Sequence, residues 1–147
     1  MADGLKEVMQ DVREISRGIH PAILSERGLE PAVKALARRS PVPVNLTVRL
    51  PARLQDRIEA SAYYIISEAL ANVAKHAKAG IVEVAIEANR SVLSLSVRDD
   101  GLGGANPDSP GLAGLRERAE ALGGTLELAS PPGRGTTVRV RLPAVGR

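Results

Sequence analysis

Ser67-Glu68-Ala69-Leu70-Ala71-Asn72-Val73-Ala74-Lys75-His76-Ala77 is the stretch on which the reading of this chain turns. On a helical wheel Ile58, Ala62, Ile65, Ala69, Val73 and Ala77 recur at the helical period. The surrounding segment, 54–78, is therefore expected to form a helix with one face buried against a sheet. Along the border of that face run Glu68, Asn72, Lys75 and His76, close enough on a helix to make one polar stripe. Taken alone, such a stripe is either a solvated helix edge or one wall of a ligand site.

Composition narrows the classes. With 147 residues, 44% hydrophobic and 25% charged, the chain is long enough for one well-buried core and too short for two large ones. It has no Cys, which excludes disulfides and thiolate metal sites, and its two His make a conventional zinc site a poor expectation. No run approaches the ~18 apolar residues of a membrane span, and Met1 to Lys6 does not read as a signal peptide. A cytoplasmic protein, or the cytoplasmic part of a membrane-bound one, is the expectation. The net charge is +3, but Lys and Arg are interleaved with Asp and Glu, and there is no Phe or Trp to stack on bases. Nucleic acid is therefore not an expected partner, whereas a phosphate-bearing small molecule suits the charge balance.

From Leu5 to Ile19 apolar residues fall on a single face, predicting an amphipathic helix that stops at Pro21. A second helix is predicted from Leu29 to Arg39, entered through Gly28. After the breaker Ser40-Pro41-Val42-Pro43, the segment 44–50 alternates as a strand, and the long helix follows. Strands are expected at 82–88 and 92–98, their adjacency pointing to a hairpin, then a helix at 112–122, and strands at 125–128 and 136–142. The order implies an α/β two-layer sandwich: a mixed sheet of about five strands with helices on one face, preceded by an N-terminal helix.

Three glycine clusters interrupt these elements. Asp99-Asp100-Gly101-Leu102-Gly103-Gly104 follows a strand; Gly111-Leu112-Ala113-Gly114-Leu115 opens a helix; Gly133-Arg134-Gly135-Thr136-Thr137 links two strands. Each alone reads equally well as turn punctuation. Glycines at 101 and 103 would also let a flat ring approach the backbone, and the carboxylate of Asp99 could accept from the amino group of adenine. Guanine would oppose acceptor to acceptor there, so Asp99 would favour ATP over GTP. Glycines at a helix start would bring backbone N–H groups to a phosphate.

Taken in order, Glu68-xxx-Asn72-xx-Lys75-His76-Ala77, Asp99 to Gly103, Gly111 to Arg118 with Leu122-Gly123-Gly124, and Gly133 to Thr136 resemble the N, G1, G2 and G3 boxes of the GHKL ATPase fold. Arg116-Glu117-Arg118 with Leu122-Gly123-Gly124 is most similar to NarL-type bacterial sensor histidine kinases. The resemblance implies ATP and Mg²⁺, with Asn72 giving its amide oxygen to the metal and Glu68 orienting water or the attacking group. It implies that Lys75 and His76 face the phosphates, that Asp99 reads adenine, and that Gly101, Gly103, Gly111 and Gly114, with Leu112 and Leu115, shape the pocket and its lid. Thr136 or Thr137 would support the adenine end, and the lid is short, 105–110.

It further implies transfer of the γ-phosphoryl group to a histidine on a dimerisation domain, for relay to a response regulator. Neither His20, before Pro21, nor His76 matches the acceptor, which an acidic residue follows in that family. The chain is thus expected to be a catalytic fragment, monomeric by itself, of a homodimeric kinase with a sensor region. Residues 1–20 would be part of the second helix of the dimerisation hairpin, 21–43 a connecting helix and linker, and 44–147 the ATP-binding domain. The alternative is a degenerate ATP-binding module that docks without kinase activity.

Overall fold

The computed structural model describes residues 22–144. The helix expected at 5–19, the segment assigned to a dimerisation hairpin and His20 lie outside the described residues. Within them the chain runs α1 (Ala22–Arg27), α2 (Leu29–Arg39), β1 (Val44–Arg49), α3 (Asp56–Asn72), β2 (Val82–Ala88), β3 (Val92–Asp99), α4 (Pro110–Ala121), β4 (Thr125–Ala129) and β5 (Thr136–Pro143).

The five strands form one sheet in the order β1-β2-β3-β5-β4. β1 and β2 are parallel, and every other neighbouring pair is antiparallel. A parallel pair needs a crossover, and α3 is that crossover. Because α3 travels back along the sheet, its C-terminal end returns to where β2 begins. The register sets Val82, Asp99 and Thr136 side by side in one row at that same end. α4, which connects β3 to β4, starts there too. Topology alone therefore gathers the end of α3, the end of β3, the start of α4 and the start of β5.

Strand alternation decides which face is covered. Val82, Val84, Ile86, Leu93, Leu95, Val97, Val138, Val140 and Leu142 are all buried beneath the helices with Leu126. α3 meets them with Ile58, Ala62, Ile65 and Ala69, continued by Val73 in the turn that follows, the face expected from the wheel, and α4 adds Leu112, Leu115 and Ala119. The sheet is mixed and its helices lie on one face, as expected.

Two features are not evident in the sequence. A short helix, α1, follows Pro21, and with α2 it contributes Leu24, Leu29, Ala32 and Val33 to the same core as α3 and the sheet. A clasp secures that corner. Glu59, only 2% exposed, accepts from Arg53 Nε and Nη2 at 3.0–3.2 Å and from the Leu54 backbone N–H at 3.1 Å. Arg53 Nη2 also reaches the Ser25 carbonyl of α1 at 3.5 Å. Gly28, at φ 99°, passes beneath the Arg53 side chain, where a Cβ would lie 2.9 Å from Cδ.

Charged hydrogen bonds of this kind contribute more than neutral ones, and a buried carboxylate without its partners is costly. Glu59→Gln, which keeps the shape but not the charge, is expected to lower stability by ~2 kcal/mol. The urea midpoint measures it, and an unchanged midpoint would mean that the clasp contributes nothing.

Candidate ATP site

Between α3, the strand ends and the segment 105–112 lies a cavity of about 530 Å³. Its walls include Asn72, His76, Asp99, Gly103, Gly111, Leu112 and Thr136, drawn from all four motifs singled out in the sequence. Ala69, Val73, Val97 and Val138 give it an apolar side, on which a flat ring could lie.

The helix carrying Asn72 does not continue as regular α-helix. Val73–Ala77 forms a π-helical turn, closed by Lys78 in the left-handed conformation at φ 50°. Such turns widen the helix and recur at functional sites. Here the turn presents the Ala77 carbonyl to the loop after β3, where it accepts the Leu102 N–H at 2.7 Å. Gly101 lies directly against that carbonyl, and any Cβ at 101 would overlap it.

Asp99 is buried, 5% exposed, at the floor of the cavity. Its Oδ1 accepts the Gly101 N–H at 2.8 Å, which fixes the carboxylate plane and leaves Oδ2 as an acceptor for a bound molecule. Behind it, Gly135 at φ 75° packs on the Asp99 carbonyl, where a side chain would overlap. Gly103, at φ 67°, packs in the same way on the Pro131 carbonyl. Across the cavity, the Asn72 amide faces the first turn of α4; a Cβ on Gly111 would sit 3.5 Å from both Oδ1 and Nδ2. Pro110 occupies the first turn of that helix, and the N–H groups at its start have no side-chain cap.

Other residues expected at the site are placed differently. Thr136 is in the cavity wall, whereas Thr137 points to the opposite face of the sheet, as strand alternation requires, beside Arg98 and Arg139. Thr137 therefore drops out of the set. Leu115 is 1% exposed in the core behind the cavity, and Gly114 is exposed, with nothing within 4 Å of where a Cβ would stand. Gly101 acts through backbone packing and is not in the wall. Lys75 is exposed and does not line the cavity.

Glu68 also lies outside the wall, one helical turn from Tyr64. Burial pushes the Tyr64 hydroxyl above its ordinary pKa, and the Glu68 carboxylate adds to the shift. The Arg118 guanidinium lies 3.9 Å above the Tyr64 ring, tying α4 to α3. Asn106, Ser109 and Ser130 escape sequence inspection: the first two line the cavity, and Ser130 hydrogen-bonds to Thr136 in its wall. Each stands among Gly, Pro and Asp in a loop, where small polar residues look like turn punctuation.

The family model for the histidine kinase-, DNA gyrase B- and HSP90-like ATPases matches residues 57–146. The chain is 33% identical to the oxygen sensor histidine kinase NreB of Staphylococcus carnosus, over 95% of this chain and 43% of that one. It is likewise 33% identical to the sensor histidine kinase NarS of Mycobacterium tuberculosis, over 95% of this chain and 35% of that one. It thus spans less than half the length of both relatives. Among solved structures, the ATP-binding domain of PrrB from Mycobacterium tuberculosis superposes with a TM-score of 0.58 at 26% identity, covering 79% of this chain and 90% of that one.

Asp100, next to the site, accepts the Gly80 and Ile81 N–H groups at 2.8 and 3.2 Å. These backbone hydrogen bonds, Gly80's foremost, hold its pKa below the ordinary carboxylate value. A folded pKa below the unfolded one contributes stability above the unfolded pKa that is lost as pH falls through the folded one. The stability gap between the parent chain and Asp100→Asn should therefore be present at neutral pH and shrink as pH drops below ~4. Urea midpoints of both proteins across that range test it; a gap independent of pH would contradict it.

Proposed function

The chain belongs to the histidine kinase-, DNA gyrase B- and HSP90-like ATPase family, and we propose that it is the ATP-binding catalytic part of a two-component sensor histidine kinase. One observation supports this most: a buried carboxylate, Asp99, with one oxygen fixed by Gly101 and the other available on the floor of a cavity that also meets the start of a helix. Adenine, with an amino group beside a ring nitrogen, complements an acceptor beside the Thr136 hydroxyl. Guanine, with an oxygen at that position, does not.

The phosphates would extend from there toward the N–H groups at the start of α4, where the helix dipole favours negative charge. His76 lines the cavity, and Lys75, the exposed residue before it, would reach toward the phosphates. Asn72 is the residue we assign to Mg²⁺. Among the described residues no three His, Cys, Asp or Glu side chains gather as a closed metal site. Mg²⁺ commonly takes few protein oxygens and completes its shell with phosphates and water, which fits a single amide next to a phosphate site. The metal would neutralise phosphate charge, and the residues around it would position the γ-phosphoryl group, which is most of what phosphoryl transfer requires.

Glu68 would act at the entering histidine, on the outer side of α3 away from the base. We place that histidine on a dimerisation domain and the next acceptor on a response regulator, with the intact kinase a homodimer. We also place this domain in the cytoplasm, where ATP is available; among the described residues no helix is long and apolar enough to cross a membrane. A docking module without activity is less well supported, because Asn72, Asp99, Gly103 and Gly111 stand together around one cavity of nucleotide size.

Asp99→Asn replaces one acceptor oxygen with a donor facing the adenine amino group. Loss of one charged hydrogen bond and a donor opposed to a donor should weaken ATP binding ~100-fold or more. Calorimetric titration in the presence of Mg²⁺ measures it, and an affinity equal to that of the parent would refute the adenine assignment. With radiolabelled γ-phosphate, the chain should leave itself unlabelled and label an added two-helix acceptor module. Label on His20 or His76 would show that it carries its own acceptor.

A further inference from the structure

We propose that Ser130 is a positioning residue that couples the base end of the cavity to the wall segment 105–110, because one hydroxyl holds both the Thr136 side chain and the Ala105 amide. The proposal rests on the reading of this cavity as an ATP site.

Ser130 follows β4 directly and is half-buried behind the cavity. Its Oγ accepts the Ala105 N–H at 2.8 Å and lies 2.7 Å from Thr136 Oγ1. Its carbonyl accepts the Gly104 N–H at 2.7 Å. Two consecutive amides at the root of the wall segment thus end on one residue. That residue also touches the threonine set beside Asp99 by the sheet register.

A hydroxyl has one proton and two lone pairs, which leaves two arrangements for this chain of groups. In one, Thr136 donates to Ser130 and offers only lone pairs to the cavity. In the other, Ser130 donates to Thr136, which frees the Thr136 proton to point into the cavity. A ring nitrogen beside an amino group, as in adenine, selects the second arrangement. Ser130 then keeps both lone pairs, one already on Ala105, and a donor chain of this kind polarises each of its members.

Recognition of the base therefore strengthens the bond that holds the root of the wall, and the coupling is reciprocal: a wall held in place favours the base. A small hydroxyl is required at 130. Ala would leave the Ala105 N–H and the Thr136 hydroxyl without this partner, whereas Thr would retain it.

The test uses the 147-residue chain and its Ser130→Ala, Ser130→Thr and Thr136→Val variants, with thermal melts to establish folding. Ser130→Ala should bind ATP about 5- to 30-fold more weakly, the loss of one to two neutral hydrogen bonds. Ser130→Thr should restore most of the affinity. Saturating ATP should slow amide exchange at Ala105 in the parent chain and in Ser130→Thr but not in Ser130→Ala. The losses from Ser130→Ala and Thr136→Val should be less than additive in the double variant, since both act through one hydrogen bond.

ATP binding by the parent chain, together with parental affinity and Ala105 protection in Ser130→Ala, would overturn the proposal and leave the ATP site standing. Fully additive losses would overturn it as well, reducing Ser130 to independent support of the loop. Failure of the folded parent chain to bind ATP would remove the site and the proposal together.

Discussion

The cavity depends on main chain packed directly against main chain. Gly101 rests on the Ala77 carbonyl, Gly103 on the Pro131 carbonyl and Gly135 on the Asp99 carbonyl, and at each position any Cβ would overlap the oxygen. Hydrogen bonds hold the same approaches: Leu102 N–H to Ala77, Leu102 carbonyl to Gly133, Gly104 N–H to Ser130. The loop after β3 is therefore trapped between the π-helical turn and the β4–β5 connection. A floor built this way does not rely on side-chain rotamers, and hydrogen bonds to Gly101 and Ser130 hold the Asp99 carboxylate and the Thr136 hydroxyl on it before a ligand arrives. Preorganisation of this sort lowers the ordering cost of binding.

Much of this fold is legible in the sequence because its elements are unambiguously periodic. The alternation of β2, β3 and β5 corresponds to their buried residues, and the wheel positions Ile58, Ala62, Ile65, Ala69 and Val73 are all buried, although α3 also buries Glu59, Ser61, Tyr63, Ile66 and Leu70. What one-dimensional periodicity does not contain is geometry set by distant partners. The π-helical turn at Val73–Ala77 looks like more α-helix, because its sequence is helical and the loop that packs on Ala77 is distant in the chain. Thr136 and Thr137 both follow Gly135, and only the sheet register assigns one to the cavity and the other to the open face. Gly135 reads as turn punctuation until Asp99 is seen behind it. Glu59 lies on the buried face of α3 and would be expected outside, except that Arg53, six residues earlier, turns back to meet it.

Among the described residues no helix covers the other side of the sheet, and the side chains there do not make an adhesive surface. Glu83 stands opposite Arg98, Glu127 opposite Arg139 and Glu87 opposite Arg49 across neighbouring strands, with Ser94, Ser96 and Ala85 between them. Opposite charges directly across from one another support this strand pairing. On the covered side the same strands carry aliphatic residues except at the row by the cavity, where Asp99 and Thr136 stand. A slip of one residue would reverse the two faces, so the alternation that builds the core also fixes the row containing Val82, Asp99 and Thr136. Site geometry is in this sense a consequence of core formation.

Two helix ends of opposite polarity meet at the cavity, and their balance bears on which part of a nucleotide goes where. The start of α4 offers free N–H groups and the positive end of its dipole, while the end of α3 brings carbonyls and the negative end. A phosphate placed midway would gain from one and lose to the other. Three features of the α3 end tip the balance. The Ala77 carbonyl is already hydrogen-bonded to Leu102 and so is turned toward the loop. Lys75 and His76, in the last turn, are basic residues where the dipole is negative. Asn72 comes one turn earlier and presents an amide that can offer either oxygen or N–H to the space before Gly111. The negative end of α3 is thus covered, and the remaining field favours phosphate on the α4 side. The base is left for the apolar wall and for Asp99, whose buried carboxylate would repel phosphate as firmly as it accepts an amino group.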